Sequence, residues 1–313
     1  MSFHALGIDV GGTKIAAGRV TFPEGRVSER RLIPAEPKRG GSAVLADVER
    51  IARELQGEAE QMGESIGGVG LGICELVDRE GRIASSNCIQ WQGLAVAAQL
   101  GLLAPAVIEA DVRAAAVGEA LLGAARSYGT FVYITIGTGI SSCLMIEGQP
   151  YLGASGATGT MASSPLSVPC MDCGRVNEHT LEEIASGPAL VTRFNALGGK
   201  AQSGQEVLAA ARSGNSMAAS VVGNAGQILG AQIGALINVL DPEAIVIGGG
   251  LGLSEGLFWE HLVRSAHEHI WAIHRRGIPI LRAQTGPDAG WIGAAACAWR
   301  RFGGDEARPP QSG

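Results

Sequence analysis

The 313 residues carry 24 Lys and Arg against 30 Asp and Glu, a formal net charge of -6, and 46% are hydrophobic but only 4% aromatic. This balance disfavours a nonspecific nucleic-acid surface. With 47 glycines it suits a tightly turned α/β protein, of one large or two moderate domains, better than an all-β one. No run of 18 apolar residues is free of charge and turn signals, no basic end precedes an apolar core at the N-terminus, and six cysteines, four scattered and Cys170 and Cys173 close together, make no disulfide scaffold. No membrane span or signal peptide is expected, and a cytoplasmic location is.

An apolar strand over 5–10 delivers Asp9, the turn Gly11-Gly12-Thr13-Lys14 follows, and a second strand runs over 15–20. Glycines let backbone N–H groups approach an anion, Thr13 adds a hydroxyl, and Asp9 suits a hydrated divalent cation. The spacing is neither a P-loop nor a dinucleotide fingerprint, and an ordinary glycine hairpin remains an alternative. A turn at Pro23-Glu24-Gly25 leads to a third strand near Val27. Val44, Leu45, Val48, Ile51, Ala52 and Leu55 form the apolar stripe of a helix over 42–62. A glycine-rich buried strand over 67–73, a short helix opened by Trp91 to Leu94, and a strand over 106–109 come next. Asp111 stands at that strand's exit, before a small-sided helix over 114–125. By itself Asp111 reads equally well as a helix N-cap or as a catalytic carboxylate.

The pattern then restarts as a strand over 130–136, the turn Gly137-Thr138-Gly139 and a strand over 140–146. This reads as an internal duplication with its boundary near 111–128. Residues 153–187 read as an irregular lid, with a helix starting at Leu181. Helices over 204–213 and 217–240 precede a strand over 244–247 that ends in Gly248-Gly249-Gly250. A helix over 258–270, a strand from Pro279, a last helix over 288–299 and a frayed polar tail complete the chain. The expected division is 1–110, 111–290 and 291–313.

DVGGTK from Asp9, EADVRAAAVGE from Glu109, IGTGI from Ile136, ASG from Ala185, DPEAIVIGGG from Asp241 and DAGWIGAA from Asp288 occur together and in order. Through these segments nearly the whole chain resembles the ROK family of sugar kinases and sugar-responsive repressors. The resemblance implies an α/β, actin-like (ribonuclease H-like) ATPase fold with two α/β domains around a central cleft. It implies ATP and Mg2+ as cofactors, a sugar-like acceptor and a homodimer. The few residues before Asp9 leave no room for a DNA-binding helix-turn-helix, so the kinase branch is expected. Asp9, Gly11, Gly12, Thr13 and Lys14 would meet phosphates and magnesium. Gly137, Thr138 and Gly139 would form the second phosphate turn, and Gly248, Gly249 and Gly250 would line the adenosine side. Asp111 would be the general base, a role worth ~10²–10⁴ in rate.

Departures from the family cluster on the sugar side. Ala110 stands where the family has Asn, Thr160 and Ser163 where the GEIGH segment has Glu and His, and Cys74-Glu75 where it has Pro-Gly. Asn87 is retained and Glu182 aligns with a sugar-binding carboxylate. Asn87 and Glu182, with Glu75 and Thr160, are the expected acceptor contacts. The zinc motif is reduced to Cys170 and Cys173, with His179 as a third candidate ligand and no evident fourth. Each lost polar contact can cost about 1–3 kcal/mol. The expected acceptor is therefore a C7-cyclitol such as 2-epi-5-epi-valiolone or an unusual aminosugar such as kanosamine, as in relatives from antibiotic and pseudosugar biosynthesis. An ordinary glucose or N-acetylhexosamine kinase, a non-catalytic sugar-binding homologue and an actin-like assembly or sensor protein stay open.

Overall fold

A computed structural model describes residues 2–169 and 176–304. It opens with β1 (Phe3–Val10), β2 (Lys14–Phe22) and β3 (Arg26–Pro34). Helix α1 (Gly41–Gln61) buries the stripe that its spacing predicts. Then come β4 (Ile66–Ile73), the short α2 (Val96–Leu100), β5 (Ala106–Ala110) and α3 (Asp111–Leu122). β6 (Phe131–Ile136), β7 (Ile140–Ile146) and β8 (Gln149–Pro150) follow. The stretch expected to be an irregular lid contains a hairpin, β9 (Pro165–Pro169) and β10 (Val176–Thr180). It runs into α4 (Leu181–Ala185), which starts at Leu181 as expected because Thr180 and Glu183 form a reciprocal capping box. Next are α5 (Gly187–Ala196), α6 (Gly204–Arg212), α7 (Ser216–Leu240), β11 (Ala244–Gly248), α8 (Leu257–Glu268), β12 (Ile280–Arg282) and α9 (Ala289–Phe302).

Two five-stranded sheets result, in the orders β3-β2-β1-β4-β5 and β12-β11-β6-β7-β8. In the first, β1, β4 and β5 are parallel, and Val10, Ile73 and Ala110 share a row. The chain therefore leaves all three strands at one edge, where Asp9, Glu75 and Asp111 stand.

The chain divides into two compact units. One takes residues up to Gly129, Cys143–Thr158 and the chain from Gln284; the other takes Thr130–Ser142 and Gly159–Ala283. The division expected at residue 110 is thus displaced: α3 and α9 both belong with the first sheet. The reason lies in backbone contact. Gly18, Gly7 and Gly70 form a row across β2, β1 and β4. A Cβ on Gly7 or Gly70 would run into the backbone of Trp291 or Ala294 in α9, and one on Gly18 into the Trp291 ring. Gly293 of α9 lies equally close to Ala114 in α3. The approach to α9 is pinned by Glu119, which is fully buried and accepts the N–H groups of Ala124 (2.7 Å), Gln284 (3.1 Å) and Thr285 (2.7 Å), and the Thr285 hydroxyl.

The expectation of no membrane-length segment needs correction. By length and composition, α7 would suffice to cross a membrane, although 56% of its most apolar stretch is buried inside the protein. Its Gly226, Gly230 and Gly234 lie against backbone carbonyls of Phe258, Leu262 and Ala266 in α8. That packing accounts for an apolar helix without a charged residue as a core element.

Candidate active site

In the first unit, β1 carries Asp9 to the edge of the sheet and the turn closes at once, with Gly11 N–H donating to the Lys14 carbonyl at 3.0 Å. Gly12 has to be small, since a Cβ there would stand 2.9 Å from the Cys88 sulfur. Gly12, Thr13 and Lys14 are exposed, which leaves their donors open to a ligand. Asp9 Oδ1 is buried and accepts no hydrogen bond. Burial, followed by the charge of Asp111, raises the Asp9 carboxyl to about 7 against the opposing pull of Lys14.

Asp111 is the first residue of α3; the N-cap position falls on Ala110, which makes no side-chain cap. The cap reading of Asp111 therefore fails. Its Oδ1 accepts the Val112 N–H at 2.6 Å. Burial pushes the Asp111 carboxyl up to about 6, the Val112 bond opposes, and Glu75 adds to the rise. A carboxylate in that range is ionised at neutral pH yet basic enough to accept a proton. Behind it, Glu109 Oε1 accepts from Arg113 Nε at 2.6 Å, and Arg113 also donates to the carbonyls of Val77 (2.6 Å) and Gly156 (3.4 Å). This buried bracket fixes the head of α3 against the segment after β4.

Glu75 is only 4% exposed. Its Oε1 accepts the N–H groups of Cys88 (2.6 Å) and Ile89 (2.9 Å), and its Oε2 accepts the Asn87 N–H (2.8 Å) and the Ser85 hydroxyl. Asn87 itself is exposed.

In the second unit the turn Gly137-Thr138-Gly139 is closed by Gly137 N–H donating to the Gly139 carbonyl at 2.9 Å. It is braced from outside, since Glu182 Oε2 accepts the Ile140 N–H at 2.8 Å and a Cβ on Gly139 would stand 2.8 Å from that oxygen. Glu182, an expected acceptor contact, thus supports the turn at Gly137-Thr138-Gly139 with one of its two oxygens. The Gly137 carbonyl accepts the Gly187 N–H at 2.8 Å, and that of Ile136 accepts from Leu251 (2.9 Å) and Gly252 (3.0 Å). Gly249 adopts φ +81, and a Cβ there would collide with the Ile136 backbone. Gly248 abuts the Tyr133 hydroxyl, and Gly250 is exposed. A glycine-lined wall joins Gly137, Gly187, Gly204 and Gly250, with Gln205 beside it. Gly187, Gly204 and Gln205 were not singled out from sequence; the Ala185-Ser186-Gly187 segment was the available signal. Thr160 is exposed at the head of a 3-10 turn over Met161–Ser163. Of the zinc candidates, Cys170 and Cys173 lie outside the described residues and His179 is exposed on β10. No group of three or more His, Cys, Asp or Glu suited to a metal ion occurs among the described residues.

The model of the ROK family matches residues 5–301. The chain belongs to the ROK family. It is 29% identical over 318 residues to a glucokinase of Streptomyces coelicolor, covering 94% of this chain and 96% of that enzyme. The ROK hexokinase of Thermus thermophilus superposes with a TM-score of 0.78 at 28% identity, covering 96% of this chain and 99% of the other. A Streptomyces griseus ROK glucokinase, solved with glucose and AMPPNP, gives 0.79 at 27% identity over 94% of this chain and 99% of its own. The ROK chain described here has the actin-like α/β fold of these kinases, in the form of its two mixed five-stranded sheets.

Proposed function

We propose that this ROK sugar kinase transfers the γ-phosphoryl group of ATP to a primary hydroxyl of a sugar-like acceptor that differs from glucose at its ring-oxygen and anomeric end. A C7-cyclitol such as 2-epi-5-epi-valiolone is the preferred class and kanosamine the second. The observation that carries the kinase chemistry is Asp111, its carboxyl held near pKa 6 at the head of α3 beside Asp9. Asp111 takes the acceptor's hydroxyl proton as the new oxygen–phosphorus bond forms and the bond to the ADP oxygen breaks. Asp9, whose Oδ1 is buried without a partner, fits a hydrated Mg2+ and would hold it through water. When bound, magnesium neutralises charge on the transferring phosphoryl group. The N–H groups around Gly11–Lys14 and Gly137–Gly139, with the wall at Gly248–Gly250, bind the nucleotide. A homodimer is the state we expect, tested by solution mass.

The acceptor assignment is supported by what the chain has put in place of the family's sugar contacts. Ala110 has no polar side chain, and Thr160 and Ser163 supply hydroxyls where Glu and His are usual. A cyclitol has no hemiacetal for those groups to read. Similarity to the glucokinase of Streptomyces coelicolor and to an N-acetylmannosamine kinase of Citrobacter koseri favours the second reading, an ordinary hexose or N-acetylhexosamine kinase.

An ATP-consumption screen with magnesium separates the two, using glucose, N-acetylmannosamine, kanosamine and 2-epi-5-epi-valiolone, with Asp111→Asn alongside. Turnover of the cyclitol alone, lost in the variant, supports the first reading. Efficient glucose turnover overturns it. Nucleotide binding without turnover of any compound counts against the whole panel, and loss of nucleotide binding as well favours a non-catalytic homologue.

A further inference from the structure

The Glu75 carboxylate is fully engaged. A carboxylate has about four lone-pair sites. Here four donors reach it: the N–H groups of Asn87, Cys88 and Ile89 and the Ser85 hydroxyl. All four come from one loop, and none from the sequence neighbours of Glu75. The Ser85 oxygen also accepts the Leu76 N–H at 2.9 Å, tying the same loop to the residue after Glu75. On the other side, Cys74 N–H donates to the Val10 carbonyl at 3.2 Å, so the clamp is rooted at the edge of β1 and β4. The loop it holds does two things. It presents the exposed side chain of Asn87 and sets the Cys88 sulfur against Gly12 of the phosphate turn.

We propose that Glu75 is a positioning residue, a buried carboxylate that orders the 85–89 loop, and with it Asn87, for the acceptor rather than touching the acceptor itself. This replaces the expectation that Glu75 binds substrate, because no lone pair is left for a substrate hydroxyl. It rests on the proposed function only in taking Asn87 as an acceptor contact. The clamp needs an acceptor at both oxygens. An amide in place of the carboxylate turns an NH2 toward an N–H pair or toward an N–H and a hydroxyl, and so breaks one side of it.

Hydrogen–deuterium exchange on the full chain, free of ligand, tests the clamp without reference to any acceptor. In Glu75→Gln the amides of Asn87, Cys88 and Ile89 are expected to exchange at least tenfold faster, with residues 112–122 of α3 unchanged. Steady-state kinetics test the positioning, using whichever of the four screened acceptors wild type phosphorylates best. The KM for that acceptor is expected to rise about tenfold, with the KM for ATP within twofold and kcat within threefold. Ser85→Ala, which removes one of the four bonds, shifts both readouts in the same direction by less and serves if Glu75→Gln does not fold. Glu75→Asp keeps the charge but shortens the reach, and is expected to resemble Glu75→Gln.

Unchanged exchange at 87–89 overturns the clamp. An unchanged acceptor KM, or an equal rise in the KM for ATP, overturns the positioning role. Wild-type activity in Glu75→Asp shows that charge alone was at work and overturns it too. If wild type phosphorylates no compound in the screen, the proposed function is what fails, and the exchange result still decides the clamp.

Discussion

The two units are held together from different materials. In the second unit the glycine-lined wall is largely backbone against backbone: a Cβ has little or no room at Gly187, Gly204 and Gly249. In the first unit the head of α3 and the loop bearing Asn87 are held by buried charges, Glu109 with Arg113 and Glu75 with four donors. The backbone-built wall resists an added atom at Gly187, Gly204 and Gly249, whereas the charge-built half resists the loss of a partner. The first announces itself as glycine in the sequence; the second does not announce its partners.

The largest expected effect breaks the chemistry without touching either scaffold. Asp111→Asn keeps shape and removes the base, and kcat should fall by ~10²–10⁴ while nucleotide affinity stays, as read by steady-state kinetics beside calorimetric titration with AMPPNP. Next, Arg113→Met removes one partner of a buried pair whose Arg side chain is 4% exposed. Leaving Glu109 uncompensated should cost about 3–5 kcal/mol in a denaturant titration. The corresponding change in the glycine-built half, Gly249→Ala, forces a side chain into a left-handed conformation against Ile136. It should cost about 1–3 kcal/mol and raise the KM for ATP with little effect on the KM for acceptor.

Smaller effects follow from pH. Below about pH 6 the Asp111 carboxylate of the free enzyme takes up its proton, so log kcat/KM should fall by about one unit per pH unit on the acid side, a limb that Asp111→Asn abolishes. Asp9 sharpens the comparison through stability. Its carboxyl is raised from 3.8 to about 7, so the folded state binds the proton more tightly than the unfolded chain. Stability from this group is full below about pH 4 and is lost as pH rises through about 7. In the absence of nucleotide and magnesium, Asp9→Asn should therefore stabilise the protein at pH 8 by on the order of 1 kcal/mol while abolishing phosphoryl transfer. Thermal melts across pH 4–8 read the first outcome, and the ATP-consumption assay reads the second.

What could be read beforehand follows the same division. The stripe of α1 and the three glycine turns were legible because periodicity and glycine spacing are local. The start of α3 was not: small alanines from Ala114 give no stop signal upstream, and only the geometry shows Asp111 inside the first turn with Ala110 as cap. Glu75 and Glu182 were recognisable as charged residues near the right motifs. Their partners are N–H groups at residues 87–89 and at Ile140, distant in sequence and unmarked by residue type. The placing of α9 with the first sheet was not legible for a related reason, since the glycines that admit it read locally as strand glycines.

The seat of α9 has a bearing on the order in which the molecule can be made. The first unit begins with the earliest described residues and is closed by a helix that starts at Ala289. The second is complete at Ala283. On the ribosome, the sheet begun by β1 keeps the face that receives α9 bare until the residues from Ala289 onward have been synthesised, a long-range closure of the kind that folds slowly. A stop codon just ahead of Ala289 would spare every residue of the second unit and every candidate catalytic and nucleotide-binding side chain. It would nevertheless release a chain with the Gly18-Gly7-Gly70 groove open to water and to other nascent chains.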